Sequence, residues 1–337
     1  MKKLTKICCL GLLLMLTKNA LAQDPNFSQF FSSPLTLNPA FTGKFYGSYR
    51  VAGNYRNQWP SIEKAYTTAT ASIDFQIMQD RIASNDTWGV GFMGLTDNSA
   101  NGAVKFNYAS VGTAYHKGLD EEGYHQLSAG FQLTYANMLI NTHMLKFEDQ
   151  LTNAGFTGVT SEVFNTGTLN SKYVDINAGI LYNGNTNDRN NFYMGVSMYH
   201  INKPKQSFTG AEYLLPTRTT FHAGTYFPVG NTTTLHMSGM QMFQGSASST
   251  MLGAALQFSA NPDDIKATSL YVGTWMRLKD AIIPYVGIEF DDFRIGATYD
   301  YNSSQLRTAS QNRGGIEISL IYIRRPSSDK VINCPKF

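Results

Sequence analysis

Six histidines (His116, His125, His143, His200, His222 and His236) are the residues best suited to acid–base or metal chemistry, and their spacing supports neither. No two form an H-E-x-x-H pair and no C-x-x-C is present, so adjacent turns offer an ion no paired ligands. A G-x-S-x-G nucleophile elbow and a glycine-rich phosphate loop are missing too. A Ser-His-Asp set spread over distant strands would leave no local trace, but nothing in the sequence singles one out. The chain reads as a non-enzyme with no metal and no cofactor. Its histidines read as ordinary wall or lumen residues.

Three other stretches carry residues suited to binding. The first is "DPNFSQFFSSPLTLNPAFTG" (24–43), which fits neither a helix nor a strand rhythm. Phe27, Phe30, Phe31, Leu35, Leu37 and Phe41 would expose a large apolar surface if it floated free, and such surfaces mark contacts. Pro25, Pro34 and Pro39 bar it from becoming a helix or a wall strand. It reads as a segment that something else buries, with Phe27, Phe30, Phe31, Asn38, Pro39, Ala40 and Phe41 as its contact residues. A disordered leader docked on another protein is the plainer alternative. The second stretch is "NYRNQW" (54–59), where an inward Arg56 would need carboxylate or carbonyl partners. Tyr55, Arg56, Gln58 and Trp59 read as a structural clamp, with Trp59 at a strand rim. The third is "LKFEDQLTNAGFTG" (145–158), in a connection longer than about 15 residues, a length usually functional or disordered. Phe147, Glu148, Asp149, Gln150 and Phe156 read there as a partner-binding surface or a self-packed lid.

The elements that hold these stretches announce themselves by a period of two. In 172–183, Val174, Ile176, Ala178, Ile180 and Tyr182 alternate with Tyr173, Asp175, Asn177, Gly179 and Leu181. Leu127, Phe131, Leu133 and Tyr135 alternate with Gln126, Ser128, Gln132 and Thr134, and 292–302 repeats the pattern. Such alternation means strands with one apolar and one polar face. About fourteen such runs lie between 48 and 324, among them 86–96, 123–138 and 172–183, long enough for the roughly 9 to 11 residues that a tilted strand needs to cross a bilayer. Trp59, Tyr66, Trp88, Phe192, Phe243 and Phe290 fall near their ends, as interfacial girdles require. An all-β, transmembrane outer-membrane β-barrel of about 14 antiparallel strands follows, facing lipid with its apolar side. The slightly negative mean hydropathy is then no objection, because the polar side is the lumen. Fourteen strands would leave a water-filled channel. The predicted solution is that the N-terminal segment plugs it.

Residues 1–22 read as a secretory signal peptide: a basic start, the apolar run "ICCLGLLLML" and the small-x-small stretch Ala20-Leu21-Ala22. Cleavage there would remove Lys2, Lys3, Lys6 and Lys18, taking 27 basic residues to 23 against 24 acidic ones. Nucleic acid drops out as a partner on charge. Cys8 and Cys9 would leave with the leader, and Cys334 alone makes no internal disulfide. The resulting division is 1–22 leader, 23–47 plug, 48–324 barrel and 325–337 tail. Short turns near 78–85, 118–122, 184–190 and 229–230 alternate with long connections at 139–171 and 203–216. Short turns inside and long loops outside put both termini in the periplasm. A soluble secreted β-sandwich would need shorter strands.

"QDPNFSQFFSSPLTLNPAFTG" followed by "YRVAGNYRNQW", with "FEDQ" in the first long loop and the final "CPKF", resembles the PorP/SprF family of outer-membrane proteins from Bacteroidota. The resemblance covers 23–59 and the last four residues at motif level; between them only the strand pattern matches. It implies a part in the type IX secretion system and gliding motility. The partners implied are a secreted cell-surface adhesin, bound by its C-terminal domain, and other outer-membrane and periplasmic components of the apparatus. It supplies no catalytic residues. The rival is a plugged channel for hydrophobic small molecules, similar to the long-chain fatty-acid transporters, which also have an Asn-Pro-Ala stretch near the start. It predicts an apolar pocket or a lateral opening in the wall.

Overall fold

The computed structural model describes residues 24–325 apart from 63–65, 80, 165, 188–189, 211 and 261–267. The leader, Cys334 and "CPKF" lie outside the described residues.

Alternation becomes a closed wall. Its strands are β1 (Tyr49–Gln58), β2 (Tyr66–Ile77), β3 (Thr87–Ser99), β4 (Val104–Gly118) and β5 (His125–Asn141). After a two-stranded hairpin in the first long loop, β6 (Leu151–Thr152) and β7 (Gly155–Phe156), come β8 (Thr168–Gly184) and β9 (Asn191–Tyr199). A second loop hairpin, β10 (Lys205–Ser207) and β11 (Glu212–Leu214), precedes β12 (Arg218–Pro228), β13 (Thr233–Gln244) and β14 (Ala247–Ser259). The wall ends with β15 (Ser269–Arg277), β16 (Ala281–Phe290), β17 (Phe293–Asn302) and β18 (Arg313–Ile323). Leaving out the two hairpins, fourteen strands pair antiparallel with their neighbours in chain order. The ring closes where β1 meets β18, from Arg50 opposite Ile323 to Gln58 opposite Gly315. Closure satisfies the backbone within the sheet and leaves no edge.

The apolar side faces outward. Leu127, Phe131, Leu133, Tyr135, Val174, Ile176 and Ile180 are exposed on the outer surface, whereas Gln126, Ser128, Gln132, Thr134, Asp175 and Asn177 are buried inside. Rim aromatics pair: Trp59 meets Tyr66 at 5.6 Å and Phe293 meets Tyr322 at 4.8 Å. Three strands outrun the alternation. β3 reaches Ser99, β5 reaches Asn141 and β8 begins at Thr168. At those ends polar residues occupy the outer face as well, so the rhythm stops while the hydrogen-bond ladder continues.

Ser48 N–H donates to the Arg324 carbonyl (2.8 Å) and Arg324 N–H to that of Tyr49 (3.0 Å), so the two ends of the wall meet at the short-turn end. The expectation that both termini lie in the periplasm falls on the two ends of the chain, outside the described residues. Asp24 touches Gln244, Arg218 and His200, at strand ends on the long-loop side. The segment from Asp24 to Gly47 runs the length of the lumen, and this puts Asp24 at the opposite end from Arg324.

Candidate functional site

The N-terminal segment is built from three short turns, Phe30–Ser32, Pro34–Leu37 and Pro39–Phe41. Pro34 and Pro39 sit at first-turn positions, where a missing N–H costs nothing. The side chain of Asn38 caps the third turn by accepting from Ala40 N–H at 2.8 Å. Phe27, Phe30, Phe31 and Phe41 are all buried. Phe31 lies 4.6 Å from Trp275 and 5.4 Å edge-on from Tyr285, and Phe41 packs on Tyr193 at 5.8 Å. Burial of each such ring contributes on the order of 1.5–3 kcal/mol. The main apolar cluster joins Phe30, Phe31 and Phe41 to Leu181, Tyr193, Met240, Met251, Tyr271, Trp275 and Ile283 of the wall, so the core lies inside the cylinder.

Charged groups fix the segment at both ends. Near the long-loop end the Arg56 guanidinium donates to the carbonyl of Asn26 (2.6 Å) and to Asp300 (2.9 Å). Asp300 also receives Arg277 (2.9 Å) and the Ser28 hydroxyl (2.8 Å). A register shift between Asp300 and Tyr301, where β17 meets β18, sets this carboxylate between the two guanidinium groups. Glu317 accepts the backbone N–H groups of Ser28 (2.7 Å) and Gln29 (3.0 Å). Asp24 lies 2.8 Å from His200 and 3.1 Å from Arg218, and His200 also meets Asp175 at 3.0 Å. Burial alone would raise the Asp24 carboxyl, but His200 and Arg218 hold it well below the usual carboxylate range. Burial opposes protonation of His200, yet Asp24 and Asp175 lift its pKa to about 9. At the short-turn end Arg50 pairs with Asp74 (2.7 Å) and reaches the Phe41 carbonyl (3.0 Å), while Asp74 accepts from Gly43 N–H (2.8 Å). Lys44 contacts Gln126.

Between these ends the wall holds backbone. Asn38 donates to the Ile180 carbonyl (3.1 Å) and to His222 Nε2 (2.9 Å). His116 donates through Nε2 to the Thr42 carbonyl (2.8 Å), which leaves Nδ1 to accept from Ser128. Ser197 and Tyr199 donate to the carbonyls of Leu37 (2.7 Å) and Leu35 (2.9 Å). Beneath residues 38–43 the wall is glycine. A Cβ on Gly89 would stand 2.3 Å from the Thr42 carbonyl oxygen, one on Gly130 2.5 Å from Ala40 N, and one on Gly179 1.9 Å from Asn38 Oδ1. The arrangement is a binding seat for extended and turned backbone, with buried counter-charges at each mouth.

Over residues 19–322 the sequence matches the family described as type IX secretion system membrane protein PorP/SprF. The chain belongs to this family. Among solved structures it is similar to the CymD monoaromatic hydrocarbon channel (TM-score 0.47, 7% identity, 88% of this chain and 94% of that one). It is also similar to a FadL homologue of Pseudomonas aeruginosa (TM-score 0.45, 9% identity, 85% and 92%) and to the toluene transporter TodX of P. putida (TM-score 0.45, 10% identity, 86% and 93%). No curated protein matches its sequence. A closed antiparallel barrel in the PorP/SprF membrane family is an outer-membrane protein.

Of the four residues expected in a clamp on this PorP/SprF barrel, Arg56 reaches the N-terminal segment. Tyr55 does not, because alternation turns it outward toward lipid, where it is exposed. Trp59 stands at the rim with its ring against Tyr66 and its backbone N–H on the Gly314 carbonyl (2.9 Å), and Gln58 lies beside it at the end of β1. In the first long loop Phe147 stacks on Phe164 at 5.8 Å, and Glu148–Gln150 form a turn closed by Gln150 on Phe147 N–H (2.9 Å). Asp149 accepts from Ser161 N–H (2.6 Å), and Lys146 lies over the Phe156 ring at 5.5 Å. That loop is packed on itself. The sequence reading took His116, His200 and His222 as ordinary wall or lumen residues without their contacts to the N-terminal segment, and it missed Asp300, Glu317, Arg277, Asp74 and the glycine shelf. The available signal was charged, imidazole or glycine residues at inward positions of long alternating strands.

Proposed function

We propose that this PorP/SprF-family barrel is a non-enzymatic docking component of the type IX secretion and gliding machinery. It receives a secreted adhesin, through that protein's C-terminal domain, at the long-loop end. It couples to periplasmic components at the end where Ser48 and Arg324 meet, so the long loops face outward. Residues 24–47 act as a resident plug. One observation carries the reading: the N-terminal segment occupies the lumen from Asp24 at one mouth to Gly43 at the other, tied to the wall by the ion pairs of Asp24 with His200 and Arg218 and by hydrogen bonds from Arg56 to Asn26 and from Gly43 to Asp74. The cavity beside Asp24 measures about 20 Å³ and has polar groups in its lining, room for about one water. A folded domain therefore has to cross elsewhere and be received here. The same filling argues against a passage for hydrophobic small molecules.

Capture of the full-length protein from gently solubilised native membranes tests this. The expected result is recovery with a secreted protein bearing a C-terminal secretion domain and with periplasmic partners. Recovery as a lone barrel under every mild condition would sink the proposal.

A further inference from the structure

The outer surface of one flank changes chemistry abruptly toward the long-loop end. On β3, β4, β5 and β8, successive cross-strand rows facing outward read Phe92, Val111, Leu133, Ile176 and then Gly94, Ala109, Tyr135, Val174. The next row is Thr96, Asn107, Asn137, Lys172, and the one beyond it Asn98, Lys105, Leu139, Asn170. Every position in these last two rows but Leu139 is polar, two are cationic and none is acidic. The strands have height to spare. β4 has 15 residues and β5 and β8 have 17 each, against about 9 to 11 for crossing a bilayer. The excess must stand in the headgroup layer, and the two rows occupy it. On the opposite flank the outward row at the strand ends is apolar, formed by Met276, Ile282 and Tyr301.

Lys105 and Lys172 are exposed, and neither has an ion pair among the described residues. They sit two strands and one row apart, roughly 12 Å from strand spacing and rise. Thr96 donates to Asn107 (2.8 Å), next to Lys105 on the outward side of β4, and Asn137 of β5 stands between Asn107 and Lys172. Two ammonium groups joined by amides, directly above an apolar belt, suit an anionic headgroup whose acyl chains lie on Tyr135, Val174 and Leu133. We infer that this face of β3, β4, β5 and β8 is a binding site for the phosphorylated sugar headgroup of an outer-leaflet lipid, held by Lys105 and Lys172. The choice of leaflet rests on the orientation proposed above; the site does not depend on the adhesin.

The test uses the full-length protein in detergent, with bisphosphorylated lipid A, its dephosphorylated form, a phosphatidyl lipid and inorganic phosphate as probes, read by native mass spectrometry. Wild type is expected to retain bisphosphorylated lipid A at least tenfold better than the dephosphorylated form. K105E/K172E should lose that preference, and Lys279→Glu, on the opposite rim, should keep it. Equal retention of both lipid A forms, or an unchanged preference in K105E/K172E, overturns the site. So does binding of inorganic phosphate alone as well as the lipid, which would make it a free-anion contact. A preference for the phosphatidyl lipid overturns the leaflet. Loss of a co-purifying protein with lipid retention intact would reassign the face to a protein contact.

Discussion

Residues 24–47 and the first long loop, 142–167, look alike as sequence: both mix phenylalanines with glycine or proline breakers, and neither alternates. Their structures diverge. In the lumen, Arg56, Asp300, Glu317, Asp74, His116 and Asn38 make contacts that cross the chain from residues far away in sequence. In the loop, Phe147 with Phe164, Asp149 with Ser161 and β6 with β7 all pair near neighbours. Irregular chain acquires a fixed shape either from a surrounding wall or from itself, and the first way involves many more groups and buried charge. Perturbing the lumen seat should therefore damage the fold, and perturbing the loop should spare it.

The largest effect is expected at Asp300. Asp300→Ala leaves Arg56 and Arg277 buried without the carboxylate they share, and uncompensated buried charge of this kind costs about 3–5 kcal/mol. Thermal unfolding of the detergent-solubilised barrel, with protease sensitivity near Phe27, measures it. Wild-type stability in this variant would show that the wall does not depend on its lumen contents and would erase the contrast.

The division between legible and illegible follows the same line. Alternation at 123–138 and 172–183 disclosed the wall because lipid on one side and lumen on the other impose a strict period of two. Proline spacing and Phe27, Phe30, Phe31 and Phe41 marked 24–43 as chain that must be covered, and Arg56 as a group in need of partners. Which wall residues meet them could not be read. The partners Asp300 and Glu317 come from the far end of the sequence, and only closure of β1 on β18 brings them across. Gly89, Gly130 and Gly179 look like weak points in strands until the Asn-Pro-Ala turn lies on them. Tyr55 was misassigned for a simple reason: one step along a strand reverses the side.

A smaller effect should come with pH, and it separates the two mouths of the lumen. His200 is lifted to about 9 by Asp24 and Asp175, above its ordinary value near 6.5. Its contribution is full below about 6.5 and is lost as pH rises through about 9. Asp24 is depressed, so its contribution is present above the usual carboxylate range and fades only in strong acid. Amide exchange at residues 24–28 should therefore accelerate between pH 8 and 10, beyond the intrinsic rise, and stay slow at residues 38–43, where Asn38 and His116 hold the chain. His200→Ala should abolish the extra acceleration. Uniform loosening along the segment would mean that it moves as one body and that Asp24 is no separate latch.

The smallest effect on stability is expected in the loop, at Val159 and Val163, which are 92% and 86% exposed. V159S/V163S removes two apolar side chains that the protein itself leaves almost wholly in water, so unfolding should shift by no more than about 0.5 kcal/mol. These valines, in the same loop as the exposed Leu151 and Phe156, offer apolar surface that a partner would cover. Capture of the secreted partner should then fall, roughly tenfold if the pair sits in a contact centre. Both measurements on one variant make the comparison decisive. Loss of stability would place the loop with the lumen as part of the fold. Unchanged stability with unchanged capture would leave it a self-contained cap, with the docking surface to be sought on the neighbouring hairpin of β10 and β11.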